Sequence, residues 1–543
     1  MGERFGRHDR QLWAERCATV KRCILPETVP DLVDASAQRF AERTAVVFFE
    51  DGVALTYAAL AERTCRIANG LRAIGVAKGM RVGVMLSNRV EFPLTWIALG
   101  RLGAVMVPIN PFYTARELAY VLEDSGAGAL VIDVACLPTF AALTDDLPAL
   151  AEERIVVVGG AGGGRTRQFD DLEARGASGF TPGEPVRRDD LLNVQYTSGT
   201  TGFPKGCMLT HDYWLVLSRS ALAIDREGAA RLLSAQPFFY MDPQWHLLKA
   251  LWQGGAVYVA RRPSATRYAG WLKEFGIEWC QFPELAIKQP DAGGAPHLKQ
   301  AFLPGWRPES QRVFAERFPH AIGRDIFGMT EIGAGLAVPF DAAELVGSTT
   351  CGIPAPWRRA EIIGADGRAV APGEVGELAI AGRSILKGYW GKPEASADAI
   401  RGEWFHTGDL FRRDEDGWFH IVGRMKDMIR RSGENIAARE VESVVAKLPL
   451  VEDAAALGVP DATRGEEVKI YVQLKPGVAR EDFTPEMLLD HCRRNLAPFK
   501  VPRFIAFVDA FPRTSSNKIA KHILKDAADL RRGSFDVVDG VWR

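Results

Sequence analysis

The sequence has no excess of either charge. Lys and Arg number 67 against 68 Asp and Glu, for a formal net charge of -1, so there is no broad positive field to hold nucleic acid or an anionic membrane surface. It also lacks paired cysteines. Cys17, Cys23, Cys65, Cys136, Cys207, Cys280, Cys351 and Cys492 are scattered, with no C-x-x-C pair and no Cys/His cluster at zinc spacing, so they read as reduced, mostly buried thiols. The first 35 residues contain no apolar h-region, and Gly6 stands where a myristoylation signal needs Ser or Thr, so neither export nor a lipid anchor is expected. The most apolar long stretch, 92–108, is broken by Arg101 and two prolines and falls short of the ~18–20 apolar residues of a spanning helix. A cytoplasmic protein without nucleic-acid partners or integral membrane association is expected.

What is present is ordinary globular material, 47% hydrophobic and 25% charged over 543 residues, enough for roughly three or four structural units. Helical periodicity over 60–74 and 90–102 alternates with β-branched runs at 81–86, 105–109, 130–133 and 154–158, a pattern that predicts helix-covered parallel sheets. The glycine-rich stretch 159–164 never meets G-x-G-x-x-G and opens no apolar helix, so it reads as a surface turn. Between 340 and 423 the texture becomes short strands and turns, and after Met428 it becomes a compact α+β pattern, with helices at 438–448 and 485–495 and strands at 453–459, 468–474 and 503–508. The expected fold is α/β: a large N-terminal domain, 1–424, with a β-rich subdomain at 340–424, followed by a smaller mobile α+β domain, 425–543.

The densest chemical signal is Tyr196-Thr197-Ser198-Gly199-Thr200-Thr201-Gly202-Phe203-Pro204-Lys205-Gly206. Hydroxyls, glycines and one lysine at this density suit a loop that wraps phosphate oxygens, although no register matches a Walker A loop. An ordinary polar turn is the alternative. The segment resembles the signature loop of the adenylate-forming superfamily, which contains acyl- and aryl-CoA synthetases, firefly-type luciferases and the adenylation domains of nonribosomal peptide synthetases. The resemblance continues in order at Phe327-Gly328-Met329-Thr330-Glu331, Gly376-Glu377-Leu378, Trp404 to Asp409, Gly423 to Ile429, Ser432 to Ile436, and Pro512-Arg513-Thr514 leading to Lys518. The texture is also similar to that of crotonobetaine/carnitine-CoA ligases.

The resemblance implies an ATP-dependent ligase that caps a small-molecule carboxylic acid with AMP, releases pyrophosphate and passes the acyl group to CoA. ATP and CoA would be co-substrates with Mg²⁺, and no tightly bound cofactor is expected. Thr197, Ser198, Gly199, Thr200, Thr201, Lys205 and Phe327 would contribute to ATP binding. Thr330 would donate to the α-phosphate, Glu331 would hold Mg²⁺, Asp409 the ribose, and Arg424 the ribose and phosphates. Without that context, Thr330-Glu331 reads as a helix cap, Thr407-Gly408-Asp409 as a turn, and Arg424 as a solvated cation. Lys518 would neutralise the reacting carboxylate and α-phosphate. It follows Asn517, where the family usually has glycine. Lys426 corresponds to the hinge about which the small domain swings, and Gly433 to the opening for the pantetheine arm of CoA. Arg424, Lys426, Arg430 and Arg431 would assist CoA phosphates or form a charged interdomain face.

By the same resemblance the acyl pocket falls on Tyr240, Met241, Trp245, His246, Gly305 and Trp306. These large groups favour a compact or aromatic acid, with Gln244 and His246 open to a polar substituent; the alternative places these aromatics in the core. Tyr240 replaces a histidine common in CoA ligases, and Leu303-Pro304-Gly305 replaces a smaller adenine-binding turn. No G-x-S-x-G elbow or cysteine motif suggests a covalent enzyme intermediate, so His211, His246 and His406 are not expected in a hydrolytic triad. Two rivals stand beside the ligase: an enzyme that loads a carrier protein, disfavoured because Phe239-Tyr240 lacks a Phe-Asp pair and no carrier domain follows, and a non-catalytic nucleotide-binding homologue. An oligomer is allowed for.

Overall fold

The computed structural model describes residues 7–143, 150–197, 204–225, 228–290, 293–431, 434–496, 498–514, 518–526 and 529–543. The chain divides into two compact units, one of residues 1–360 with 380–405, the other of 361–379 with 406–543.

The larger unit is built on two seven-stranded sheets. In the first, the order is Arg167–Gln168, Ile155–Val158, Ala129–Asp133, Arg81–Met85, Val105–Pro108, Leu191–Thr197, Lys205–Thr210. Neighbours run parallel except the last pair, which is antiparallel. The strands Ala129–Asp133, Val105–Pro108 and Ile155–Val158 are buried along their whole length. That is why they read as unbroken apolar runs rather than alternating ones: helices cover both faces. The second sheet runs Ile322–Arg324, Gln300–Phe302, Trp279–Gln281, Arg231–Ser234, Ala256–Val259, Thr44–Phe48, Val53–Thr56, again parallel until its final antiparallel pair.

The connecting helices are delimited by local chemistry. The helix Ala115–Ser125 begins where Thr114 and Glu117 form a reciprocal capping box and stops at Gly126, whose φ of 59° is left-handed. Its Tyr120 and Asp124, four residues apart and therefore on one face, both reach the hairpin of Leu191–Thr197 and Lys205–Thr210 described below.

In the smaller unit, Gly465–Leu474 pairs antiparallel with Val451–Asp461 and parallel with Phe504–Phe507. The helices Ala438–Val445 and Pro485–Asn495 bury Val441, Val445, Leu488 and Leu489 against Val468, Ile470 and Ile505. At about 1.5–3 kcal/mol per fully buried aliphatic side chain, this cluster is a self-sufficient core. The expected helix at 438–448 is shorter, ending at Val445; the strands expected at 453–459 and 468–474 are longer because they extend into a tight hairpin, and the one expected at 503–508 is shorter, spanning Phe504–Phe507.

The glycine-rich stretch 159–164 is bend and turn, as the missing fingerprint predicts. The cysteines are unpaired and all except Cys23 are buried. Among the described residues, no helix is long and apolar enough to cross a membrane.

Candidate functional site

The strands Leu191–Thr197 and Lys205–Thr210 form a hairpin in which Thr197 pairs with Lys205 and Tyr196 with Gly206. Ser198, Gly199, Thr200 and Thr201, between these strands in sequence, lie outside the described residues. The base of the hairpin is fixed by polar contacts from several directions. Tyr120 Oη donates to Pro204 O at 3.1 Å, Tyr196 Oη to Asp124 Oδ2 at 2.7 Å, and Lys392 Nζ to Asp124 Oδ1 at 2.7 Å. Trp390 N donates to Gly206 O at 2.8 Å. Glycine is required at 206, where a Cβ would come within 2.5 Å of Val194 Cγ1. Lys205 lays its ammonium 4.4 Å from the centroid of the Tyr389 ring.

Thr330 and Glu331 occupy the turn between the antiparallel strands Ile326–Met329 and Gly333–Ala337. They cap no helix. Three successive carbonyls of this turn are held by separate donors: Thr330 O by Tyr213 Oη at 2.8 Å, Glu331 O by Leu386 N at 2.8 Å, and Ile332 O by Arg358 Nη2 at 2.7 Å. The Glu331 side chain is nearly buried and accepts from Tyr389 Oη at 3.1 Å. Burial, with the neighbouring Glu331 and Cys207, raises the Tyr389 hydroxyl's pKa, so it stays protonated and donates. Among the described residues Arg358 has no acidic partner; burial lowers it to about 10, and its guanidinium is spent on the carbonyls of Ile332, Arg383 and Ser384. A backbone held this way is preorganised.

Among the described residues, no group of three His, Cys, Asp or Glu side chains could hold a metal by itself. The single carboxylate of Glu331 could hold a hard divalent cation only if the remaining ligands came from outside the protein.

The segment assigned to the acyl pocket forms the start of the helix Met241–Gln253. Tyr240 and Met241 are partly exposed, whereas Trp245 is buried with Nε1 donating to Asp242 Oδ1 at 3.2 Å. Gln244 is not open to a substituent: it accepts from Asn193 and donates to the carbonyls of Phe238 and Tyr240, which corrects that expectation. A buried amide completes its hydrogen bonds within the protein before it can serve a ligand. His246 is fully buried with Nδ1 3.0 Å from Ser234 Oγ, and desolvation lowers its pKa to about 3, leaving it neutral. Gly305 is exposed, with a φ of 68°. Trp306 packs in the hydrophobic core and donates Nε1 to Phe282 O at 3.1 Å. Phe327 lies on the strand Ile326–Met329.

In the smaller unit, Asp409 and Arg424 are register partners on adjacent strands, with Arg424 Nε 2.8 Å from Asp409 Oδ1. The turn before Asp409 is tied down by Thr407 Oγ1 donating to Leu378 O, and by Glu377, which accepts from Gly408 N and His406 Nδ1. Burial raises the pKa of Asp409, and the positive charges of Arg424, Lys518 and Arg439 oppose that rise. Lys518 thus acts electrostatically on the same carboxylate as Arg424. Its backbone closes on Thr514, with Thr514 N donating to Lys518 O at 2.8 Å; Asn517 lies outside the described residues. Lys426 falls in the short turn Met425–Asp427, Gly433 is outside the described residues, and Arg431 pairs with Glu467 at 2.5 Å.

Tyr389, Tyr213, Arg358 and Asp124 escaped sequence reasoning. Each sits outside the chemical motifs, and only the fold brings it to them.

Residues 33–390 match the AMP-binding enzyme family and residues 440–518 the AMP-binding enzyme C-terminal domain. A feruloyl-CoA synthase of Amycolatopsis sp is 36% identical over 498 residues, 87% of this chain and 93% of that one. A crotonobetaine/carnitine--CoA ligase of Salmonella paratyphi A is 30% identical over 517 residues, 91% and 98% of the two chains. Among solved structures, ATP-bound MatB from Rhodopseudomonas palustris superposes with a TM-score of 0.82 at 26% identity, covering 92% of this chain and 98% of that one. The chain therefore belongs to the AMP-binding enzyme family, in its acyl-CoA synthetase branch.

Proposed function

We propose that this protein is an AMP-forming carboxylic acid–CoA ligase that acts on a compact or aromatic acid. The acid's carboxylate attacks the α-phosphate of ATP, pyrophosphate leaves, and the CoA thiol then displaces AMP from the acyl-adenylate. Charge builds on phosphate oxygens in the first step, so the residues that matter are donors and cations fixed before the reaction begins. The observation that carries the reading is the Thr330–Glu331 turn, pinned at three consecutive carbonyls, with the Glu331 side chain joined through Tyr389 to Lys205 at the base of the hydroxyl-rich loop.

In this reading Thr197, Ser198, Gly199, Thr200, Thr201 and Lys205 bind phosphates, Phe327 contributes to the nucleotide site, and Thr330 donates to the α-phosphate. Glu331 holds Mg²⁺, which supplies charge neutralisation at the phosphates. Asp409 accepts from the ribose, Arg424 supports it, and Lys518 serves the adenylation step. The small domain, 425–543, turns about Lys426 to exchange Lys518 for the segment that carries Gly433 and admit CoA. Tyr240, Met241, Trp245, His246, Gly305 and Trp306 border the acyl site; their bulk and a relative named for feruloyl-CoA support the choice of acid. The proposed location is the cytoplasm.

Incubation with ATP, Mg²⁺, CoA and a panel of carboxylic acids tests the reading. AMP and an acyl thioester are expected for at least one aromatic or compact acid. ADP as product refutes the mechanism, and transfer to a pantetheinylated carrier protein in place of CoA selects the rival enzyme.

A further inference from the structure

Tyr389 is 6% exposed and touches two groups of opposite charge with two different parts of its side chain. Its hydroxyl donates to Glu331 Oε1 at 3.1 Å, and its ring carries the Lys205 ammonium at 4.4 Å from the centroid. The tyrosine has little freedom to leave this position. Its backbone bridges to Cys207 on the loop hairpin, and its amide donates to Ser396 Oγ at 2.8 Å.

A partly exposed lysine and a buried glutamate that meet the two ends of one side chain attract each other. A direct pair would occupy the ammonium meant for phosphate and the carboxylate meant for metal. A ring face takes a cation through its quadrupole without presenting an anion, and a phenol orients a carboxylate while leaving its charge intact.

We propose that Tyr389 is a positioning residue that holds Lys205 and Glu331 apart, each ready for its ligand: the hydroxyl orients Glu331 toward a divalent cation, and the ring parks Lys205 for the nucleotide phosphates. This rests on the ligase reading of the site.

The two parts of the side chain separate by substitution. In Tyr389→Phe the ring stays and the hydroxyl goes; in Tyr389→Leu both go. Binding of Mn²⁺ to the full chain, followed by its electron paramagnetic resonance signal in the presence of a non-hydrolysable ATP analogue, should weaken about 10-fold or more in Tyr389→Phe, the usual cost of removing a partner of a metal ligand. Affinity for the same analogue in EDTA should stay near wild type in Tyr389→Phe and fall several-fold in Tyr389→Leu, as loss of a cation–π contact of about 1 kcal/mol implies. If Tyr389→Leu does not fold, Tyr389→Met fills the same space without the ring and replaces it. Wild-type Mn²⁺ affinity in Tyr389→Phe overturns the role of the hydroxyl, and equal EDTA affinities with and without the ring overturn the role of the ring. A wild-type protein that binds neither the analogue nor Mn²⁺ sinks the ligase reading itself, a result distinct from either.

Discussion

Arg424 Nε lies 2.8 Å from Asp409 Oδ1 across a pair of antiparallel strands, joining a half-exposed cation to a carboxylate that is almost wholly buried. Burial raises the pKa of Asp409 and Arg424 is the first of the cations opposing that rise, so Arg424→Ala should raise it further. Because ionised Asp409 is the stronger acceptor for the ribose hydroxyls it is proposed to hold, activity with ATP should then be lost on acidification at a higher pH than in the wild type. Profiles of kcat/KM for ATP against pH check this. The acid limb should move upward in Arg424→Ala and less in Arg424→Lys, which restores the charge without the fork. At neutral pH, loss of a charged hydrogen bond worth about 1.5–3 kcal/mol corresponds to a drop of roughly 10- to 150-fold. An acid limb that stays in place in Arg424→Ala contradicts the coupling.

Lys518→Ala should divide the two half-reactions. The lysine is assigned only to the meeting of carboxylate and α-phosphate, and removing one such charge-stabilising group costs about 100- to 1,000-fold. Adenylation, measured by pyrophosphate exchange, should fall by that amount, whereas thioester formation from supplied acyl-adenylate should remain close to wild type. Equal loss in both assays counts against the proposed exchange of Lys518 and the Gly433 segment at the site.

The parallel sheets were legible because strands buried on both faces must be continuously apolar, as Leu-Val-Ile at 130–132 and Ile-Val-Val-Val at 155–158 are. Asp409 and Arg424 were legible as motif members, yet their pairing depends on strand register, which sequence spacing does not state. Gln244 misled because a polar residue in an aromatic stretch looks free for a ligand; its partners Asn193, Phe238 and Tyr240 gather around it only in the folded chain. Tyr389 and Arg358 were invisible for the same reason, since their contacts at Glu331 and Ile332 span 58 and 26 residues.

Arg358 supports the Thr330–Glu331 turn from beneath, and its replacement should be felt in both stability and activity. Arg358→Met keeps much of the volume but leaves the carbonyls of Ile332, Arg383 and Ser384 without this donor. An unsatisfied buried polar group costs about 1–3 kcal/mol, so a loss of at least that size is expected in urea denaturation. Adenylation should weaken more than nucleotide binding, because the turn's geometry matters most where charge develops. Arg358→Lys should restore little, since one ammonium cannot span three carbonyls. Full stability in Arg358→Met would show that the turn holds without it.

Acid should destabilise the larger unit through His211. This side chain is fully buried, its Nδ1 accepts from Val29 N at 3.2 Å, and it faces Asp190 and Lys78. Desolvation is the main cause of a fall in its pKa from 6.5 to about 4, with Asp190 opposing and Lys78 reinforcing it. Between those values the unfolded chain binds the proton and the folded chain does not, so stability is intact above pH 6.5 and declines as the pH drops toward 4. At pH 5 the decline amounts to about 2 kcal/mol from this one residue. Urea midpoints at pH 7 and pH 5 measure it. His211→Asn, which keeps an acceptor near Val29 but cannot titrate, should be less stable than wild type at pH 7 and should lose correspondingly less on acidification. The same pH dependence in both proteins would place the acid sensitivity elsewhere, with His246, lowered to about 3 by burial, as the next group to substitute.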